Sequence, residues 1–176
     1  MTFRMPRCVA IAIGASALAA SSHVAVRAQQ APAPESVTLT AELRPSNEVP
    51  PVKNAEANGT GTATVVIKIV RDAQKAISSV TADIAVTLSG FPAGTSITMA
   101  HIHRGAAGKN GDVVINSGLA ADEVVLTDGS GRFSKTGIAV TPAVAQELLA
   151  DPAGFYFNVH STLNPAGVAR GALARQ

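Results

Sequence analysis

The chain has 176 residues, 14 Lys and Arg against 12 Asp and Glu, 15% charged residues, one Cys and no Trp. That length suits a single domain, and the lack of long charge blocks excludes a basic nucleic-acid arm and an acidic disordered tail. One Cys excludes an intrachain disulfide framework and any CxxC metal or redox motif.

Residues 1–28 read as a Sec-type signal peptide. Arg4 and Arg7 form a basic start, Cys8 to Ala20 is an apolar run, and Val26-Arg27-Ala28 offers small residues at the −3 and −1 positions of a cleavage site. Ala17-Leu18-Ala19 is an earlier cleavage candidate, and an uncleaved anchor is the alternative. The apolar run is shorter than the roughly 20 residues a membrane span needs. Cys8 opens that run instead of following it, which does not fit a lipoprotein acceptor. Cleavage after Ala28 removes Arg4, Arg7 and Arg27 and no acid, so 14 bases become 11 against 12 acids, a net charge of −1. The apparent basicity therefore belongs to the leader, and the mature chain has no electrostatic case for nucleic acid. It also has no Cys and no expected transmembrane span. The expected address is exported, periplasmic or extracellular.

Residues 29–36 (QQAPAPES) are Pro/Ala-rich and read as a flexible tether. Residues 37–176 form the expected domain. Val37 to Leu43 alternates apolar and polar with period two, as a half-buried strand does. Asn47 to Val52 carries Pro50 and Pro51, which withhold two amide donors and place it at an edge or in a loop. Further strands are expected over Gly61 to Val70, Ala76 to Leu88, Ile97 to His103, Val113 to Asn116, Val124 to Thr127 and Arg132 to Ile138, with turns at Asn58-Gly59, Asn110-Gly111 and Asp128-Gly129. Thr141 and Pro142 are N-cap and first residue of one short helix, ended by Asp151-Pro152. Phe155 to His160 and Val168 to Leu173 are the last strands. The fold expected is all-β: an antiparallel β-sandwich or barrel of about eight strands with one helix, of immunoglobulin or superoxide-dismutase-like architecture.

Three of the four His lie beyond the leader. His101 and His103 share one face of their strand, about 7 Å apart at a rise of about 3.4 Å per residue. Period two places Tyr156, Asn158 and His160 on one face of a later strand and Phe155, Phe157 and Val159 on the other. If the two strands are neighbours, three imidazoles converge. Neutral imidazole ligates transition metals, and three of them with an open position suit Zn or Cu. The same spacing equally suits a structural cluster hydrogen-bonded to loop carbonyls, and the residues leave that choice open. Arg170 is expected to pair with Glu48 or Asp112, the alternative being that it holds an anion. Glu48, fixed beside two prolines, is a candidate fourth ligand or the partner of Arg170.

Catalytic signatures are sparse. No G-x-S-x-G elbow occurs, and Ser161 faces away from the adjacent His160. Asp122-Glu123 reads as a solvated loop, not a glycosidase pair. Gly105, Gly108 and Gly111 lack the following helix and the Lys-Ser/Thr of a phosphate loop, so they read as a bend between strands.

The segments Asn47-Glu48-Val49-Pro50-Pro51-Val52, Ala100-His101-Ile102-His103-Arg104-Gly105, Phe155-Tyr156-Phe157-Asn158-Val159-His160-Ser161 and Gly167-Val168-Ala169-Arg170-Gly171 occur in this order. Together they resemble the CHRD (chordin-type) domain family, over about Val37 to Leu173. The resemblance implies a β-sandwich or barrel in an extracytoplasmic protein, with no settled enzymatic activity. In chordin such domains belong to a growth-factor-binding protein, a partner that a lone bacterial copy does not inherit. The family's closing motif is usually G-E-[IL]-R-G-Q-[IL]; here Val168 and Ala172 replace its acidic and amide positions while Arg170 is kept. The reading is thus an exported, non-catalytic binding or structural module for an envelope or extracellular ligand. Its alternative is a Cu- or Zn-binding metalloprotein, redox-related in its furthest form, using His101, His103 and His160 with Glu48, Asn158 and Arg170 as supporting polar residues.

Overall fold

The computed structural model describes residues 1–2 and 34–176. The stretch read as a signal peptide, apart from its first two residues, and the stretch read as a tether up to residue 33 lie outside the described residues. Strand β1 (Glu35–Leu43) begins two residues inside the stretch read as tether, because Glu35 and Ser36 already pair with Ile69 and Lys68.

Two antiparallel sheets form the domain. The first contains, in spatial order, β10 (Ala174–Arg175), β1, β2 (Thr60–Arg71), β3 (Ile77–Ser89) and β7 (Gly131–Val140). The second runs β5 (Val113–Asn116), β4 (Thr95–Arg104), β8 (Phe155–Ser161) and β9 (Ala169–Ala172), with β6 (Val124–Leu126) also paired to β4. The sandwich is therefore as expected, and it is not a closed barrel: among the described residues no pairing joins β7 to the second sheet. On the opposite side Arg44 and Arg170 exchange backbone hydrogen bonds of 3.1 and 3.3 Å and link the sheets.

The alternation seen in the sequence builds the core. β1 contributes Leu39, Ala41 and Leu43; β2 contributes Ala63, Val65, Ile67 and Ile69; β3 contributes Val80, Ala82, Ile84, Val86 and Leu88, all buried. Ala100, Ile102, Phe157 and Val159 meet them from the second sheet. Interdigitated branched side chains from two inner faces are what hold a sandwich together. The expected closing strand is β9, one residue shorter at each end, and an unexpected element follows it: Leu173 is buried, and β10 crosses to β1. The last residues change sheets because Leu173 drops into the core between the two pairings.

Helix α1 (Pro142–Ala150) starts where expected. The Thr141 side chain accepts a hydrogen bond from the Val144 amide at 3.3 Å, and Pro142 fills the first turn, where no amide partner exists. Ala145 and Leu148 are its buried residues, while Val144 is half-buried.

One irregularity decides what the second sheet presents outward. In an unbroken strand Ile97, Met99, His101 and His103 would share a face. The pairing of β4 with β8 shifts register between Ile97 and Met99, and Thr98 and Met99 both point away from the core. This β-bulge resets the alternation. Ile97, Ala100 and Ile102 face inward, and His101 and His103 face the other way.

Candidate metal centre

The outer face of the second sheet is polar yet covered. His101 stands directly across from Asn158, and Asn158 directly across from Arg170; His103 stands across from Tyr156. Such cross-strand partners have Cβ atoms about 4.5–5.5 Å apart. Every residue of β8 is buried, so its polar side is enclosed as fully as its apolar side. The covers are the segment from Pro45 to Glu48, the loop between β4 and β5, and the turn before β9.

The three imidazoles come together. Nδ1 of His101 lies 3.2 Å from Nε2 of His160, and one nitrogen from each of His101, His103 and His160 falls within 4.8 Å of the others. The ring centroids of His101 are 5.7 Å from His103 and 5.1 Å from His160. His103 Nδ1 donates to the Gly111 carbonyl at 2.9 Å, and His160 Nδ1 donates to the Pro165 carbonyl at 2.9 Å. Those bonds fix the tautomer and put a lone pair on each Nε2; that of His103 has no partner, and that of His160 accepts from His101 Nδ1. A backbone carbonyl on one nitrogen is the usual outer support of a metal-binding imidazole. Tyr156 stacks on His103, with centroids 4.8 Å apart and planes at 4°, and its hydroxyl accepts from the Gly111 amide at 3.3 Å. Gly111 is confined to glycine here because a Cβ would collide with the Arg104 carbonyl.

Burial pushes all three imidazoles toward the neutral form. His101 is lowered to about 4, by desolvation first and then by the neighbouring His160 and His103. His103 is lowered by desolvation, opposed by the Gly111 carbonyl, and His160 by desolvation, opposed by the Pro165 carbonyl. Three neutral imidazoles are the form a metal binds. With Zn–N bonds of about 2.0–2.1 Å, a tetrahedral edge is about 3.3 Å, so the His101–His160 pair already fits and the widest gap would need to close by about 1.5 Å.

Arg170 resolves the charge pairing. Its Nε lies 3.6 Å from Glu48 Oε2, with both side chains buried, and Asp112 is exposed. Arg170 Nε also donates to the Asn47 carbonyl at 2.7 Å, and Nη1 to the Lys109 carbonyl at 3.2 Å and Asn110 Oδ1 at 2.9 Å. One guanidinium thus ties both covering loops to the sheet, and its Cζ sits 4.7 Å from the Tyr156 ring centroid. Asn158 Nδ2 donates to Glu48 Oε2 at 3.4 Å. Burial raises Glu48 to about 7, against the lowering pull of Arg170 and Asn158. Glu48 is outside the group of converging ligand atoms. It pairs with Arg170.

Among the described residues, the buried side-chain atoms without a hydrogen-bond partner are Glu48 Oε1, His103 Nε2, Asn158 Oδ1 and Arg170 Nη2. All of them belong to this polar layer. A cavity of about 430 Å³ opens beside it, lined by Ser46, Glu48, Lys109, Tyr156 and Arg170 among others.

The sequence reading assigned no role to Glu56. It is buried, accepts from Ser161 Oγ at 2.6 Å and from Asn164 Nδ2, and so clamps the loop before β2 onto the turn before β9. Asn54, two residues earlier, bonds Asn164 at 2.9 Å. Asn58-Gly59 signalled a turn nearby, but the partners of Asn54 and Glu56 lie more than 100 positions away. Tyr156 was placed on the correct face without its stacking role.

A family model described as CHRD domain matches residues 39–173. No curated protein matches the chain. No solved structure matches it either.

Proposed function

The chain belongs to the CHRD domain family, and on that premise we propose that it is an exported binding module whose ligand is a first-row transition metal, Zn or Cu, held by His101, His103 and His160. The basic start, apolar run and small-residue cleavage site within residues 1–28 support export to the periplasm or beyond. Among the described residues, no helix is long and apolar enough to cross a membrane. The observation that carries the metal is the convergence of three ring nitrogens within 4.8 Å, two of the rings being tied by Nδ1 to backbone carbonyls. A purely structural cluster would use those same carbonyl bonds, but it gives no partner to the buried Nε2 of His103. Binding, without a catalytic step, is the whole of the proposal.

Protein taken from the exported fraction is expected to hold about one Zn or Cu per chain, one three-histidine set being present among the described residues. Equilibrium dialysis against each metal should show that site lost in a His101→Ala, His103→Ala double variant. Unchanged stoichiometry in that variant would refute the centre.

The cavity of about 430 Å³ supports a second reading, a module that takes an envelope or extracellular ligand between the Ser46–Val49 and Ala106–Lys109 segments. Pull-down from envelope extract with metal-free protein separates the two, because this reading requires capture without metal and its loss in a Lys109→Glu variant.

A further inference from the structure

We propose that Asn158 supplies a fourth, oxygen donor to the three-histidine centre, presenting Oδ1 to the metal while Glu48 holds the other end of the amide. The inference rests on the metal-binding reading above and adds a residue to its ligand set.

Three observations meet here. First, position: Asn158 lies between Tyr156 and His160 along β8 and directly across from His101 on β4. Second, direction: Asn158 Nδ2 donates to Glu48 Oε2 and lies 2.9 Å from where a Cβ on Gly167 would stand. Gly167 leads into β9, so the nitrogen end of the planar amide is on the β9 side. The oxygen end is the one Glu48 does not hold, on a residue that stands across from His101 and shares the face of His160. Third, need: Asn158 Oδ1 and His103 Nε2 are both buried and without partners. Both are lone-pair acceptors and cannot satisfy each other. A shared cation satisfies both.

The arrangement around the amide suits this role. A carboxylate accepting from an amide N–H draws electron density toward the carbonyl oxygen and makes it a better donor, as outer carboxylates do for metal-bound imidazoles. Gly167 has φ +139, and any side chain there would meet Glu48 Oε2 at 2.8 Å, so glycine keeps the Glu48–Asn158 contact open. Glu48 is then a positioning residue. Three imidazoles and one amide oxygen form a harder set than imidazoles alone, favouring Zn(II) and Cu(II) over Cu(I).

The test titrates the metal-free full chain with Co(II), whose visible bands report the donor set directly. Asn158→Leu should weaken Co(II) binding by about tenfold or more and shift the bands. Asn158→Asp should still bind tightly but with shifted bands, because a carboxylate oxygen replaces the amide oxygen. If the leucine variant fails to fold, judged by circular dichroism, the aspartate spectrum decides. Bands superimposable on the parent's in the folded variants, with His101→Ala abolishing binding, would overturn the Asn158 assignment and leave the histidine centre standing. Binding that survives His101→Ala would overturn the histidine centre itself.

Discussion

Nδ1 of His101 lies 3.2 Å from Nε2 of His160, although 59 positions separate the two residues in the chain. The contact exists because β4 and β8 are antiparallel neighbours and because the bulge after Ile97 turns His101 outward. Its acid–base behaviour follows from the enclosure. An unperturbed histidine of pKa about 6.5 would surrender a metal near pH 6. With His101 lowered to about 4 and its two neighbours also lowered, proton competition starts later. We predict that bound Zn is retained to about pH 5 and released toward pH 4. Metal content after dialysis across that range checks this; release complete by pH 6 would contradict it.

The metal-free domain should also weaken in acid. A histidine whose folded pKa is depressed takes up its proton in the unfolded chain first. Its contribution to stability is therefore present above the unfolded value near 6.5 and is lost as pH falls through the folded value. His101, lowered to about 4, sets the lower end of that window. Denaturation midpoints of metal-free protein should fall between pH 6.5 and 4, and a His101→Asn variant should show a shallower decline. Equal slopes would count against the burial argument.

Glu48 works in the opposite direction. Its pKa is raised to about 7, so its ionisation opposes folding as pH rises from its ordinary value of 4.5 through 7. Relative to a Glu48→Gln variant, the natural protein should lose stability across that interval. Urea midpoints of both proteins at pH 5 and pH 8 measure the difference. A gap independent of pH would show that Arg170 offsets the burial of the carboxylate completely.

Gly111 joins the loop to the histidines. Its carbonyl accepts from His103, its amide donates to Tyr156, and a Cβ would strike the Arg104 carbonyl. Gly111→Ala should cost about 2–3 kcal/mol of stability, the scale of a core steric clash, and should weaken metal binding by displacing the support of His103. Thermal denaturation and metal titration of one preparation test both effects.

The Glu56–Ser161 contact of 2.6 Å is a clamp between segments 105 positions apart. Glu56→Ala leaves the buried Ser161 O–H without its acceptor, while Ser161 Oγ still accepts from the Asn164 amide, so a loss of about 1–3 kcal/mol is expected. A double-mutant cycle with Ser161→Ala should return a coupling of about 0.5 kcal/mol or more. Additive effects would mean the clamp is only geometric.

The elements were legible wherever period-two alternation ran unbroken. β1, β2 and β3 follow their apolar positions closely, and Thr141-Pro142 marked the helix start to the residue. The shared face of Tyr156, Asn158 and His160 was legible for the same reason. What the sequence withheld was long-range. Whether Arg170 chose Glu48 or Asp112 depended on which loop folds over the sheet, and local pattern carries no such information. Glu56 was silent because its partners are distant. The change of sheets after Leu173 escaped notice because two residues, Ala174 and Arg175, are too few to show a period.

The register shift after Ile97 has an evolutionary side. Chain length at that point is itself a specification: with one residue fewer between Ile97 and Ala100, plain alternation would keep Ile97 inward and both imidazoles of β4 outward with no bulge at all. Descendants of this gene can therefore shed the irregularity by a three-nucleotide deletion and keep the centre, with every histidine codon intact.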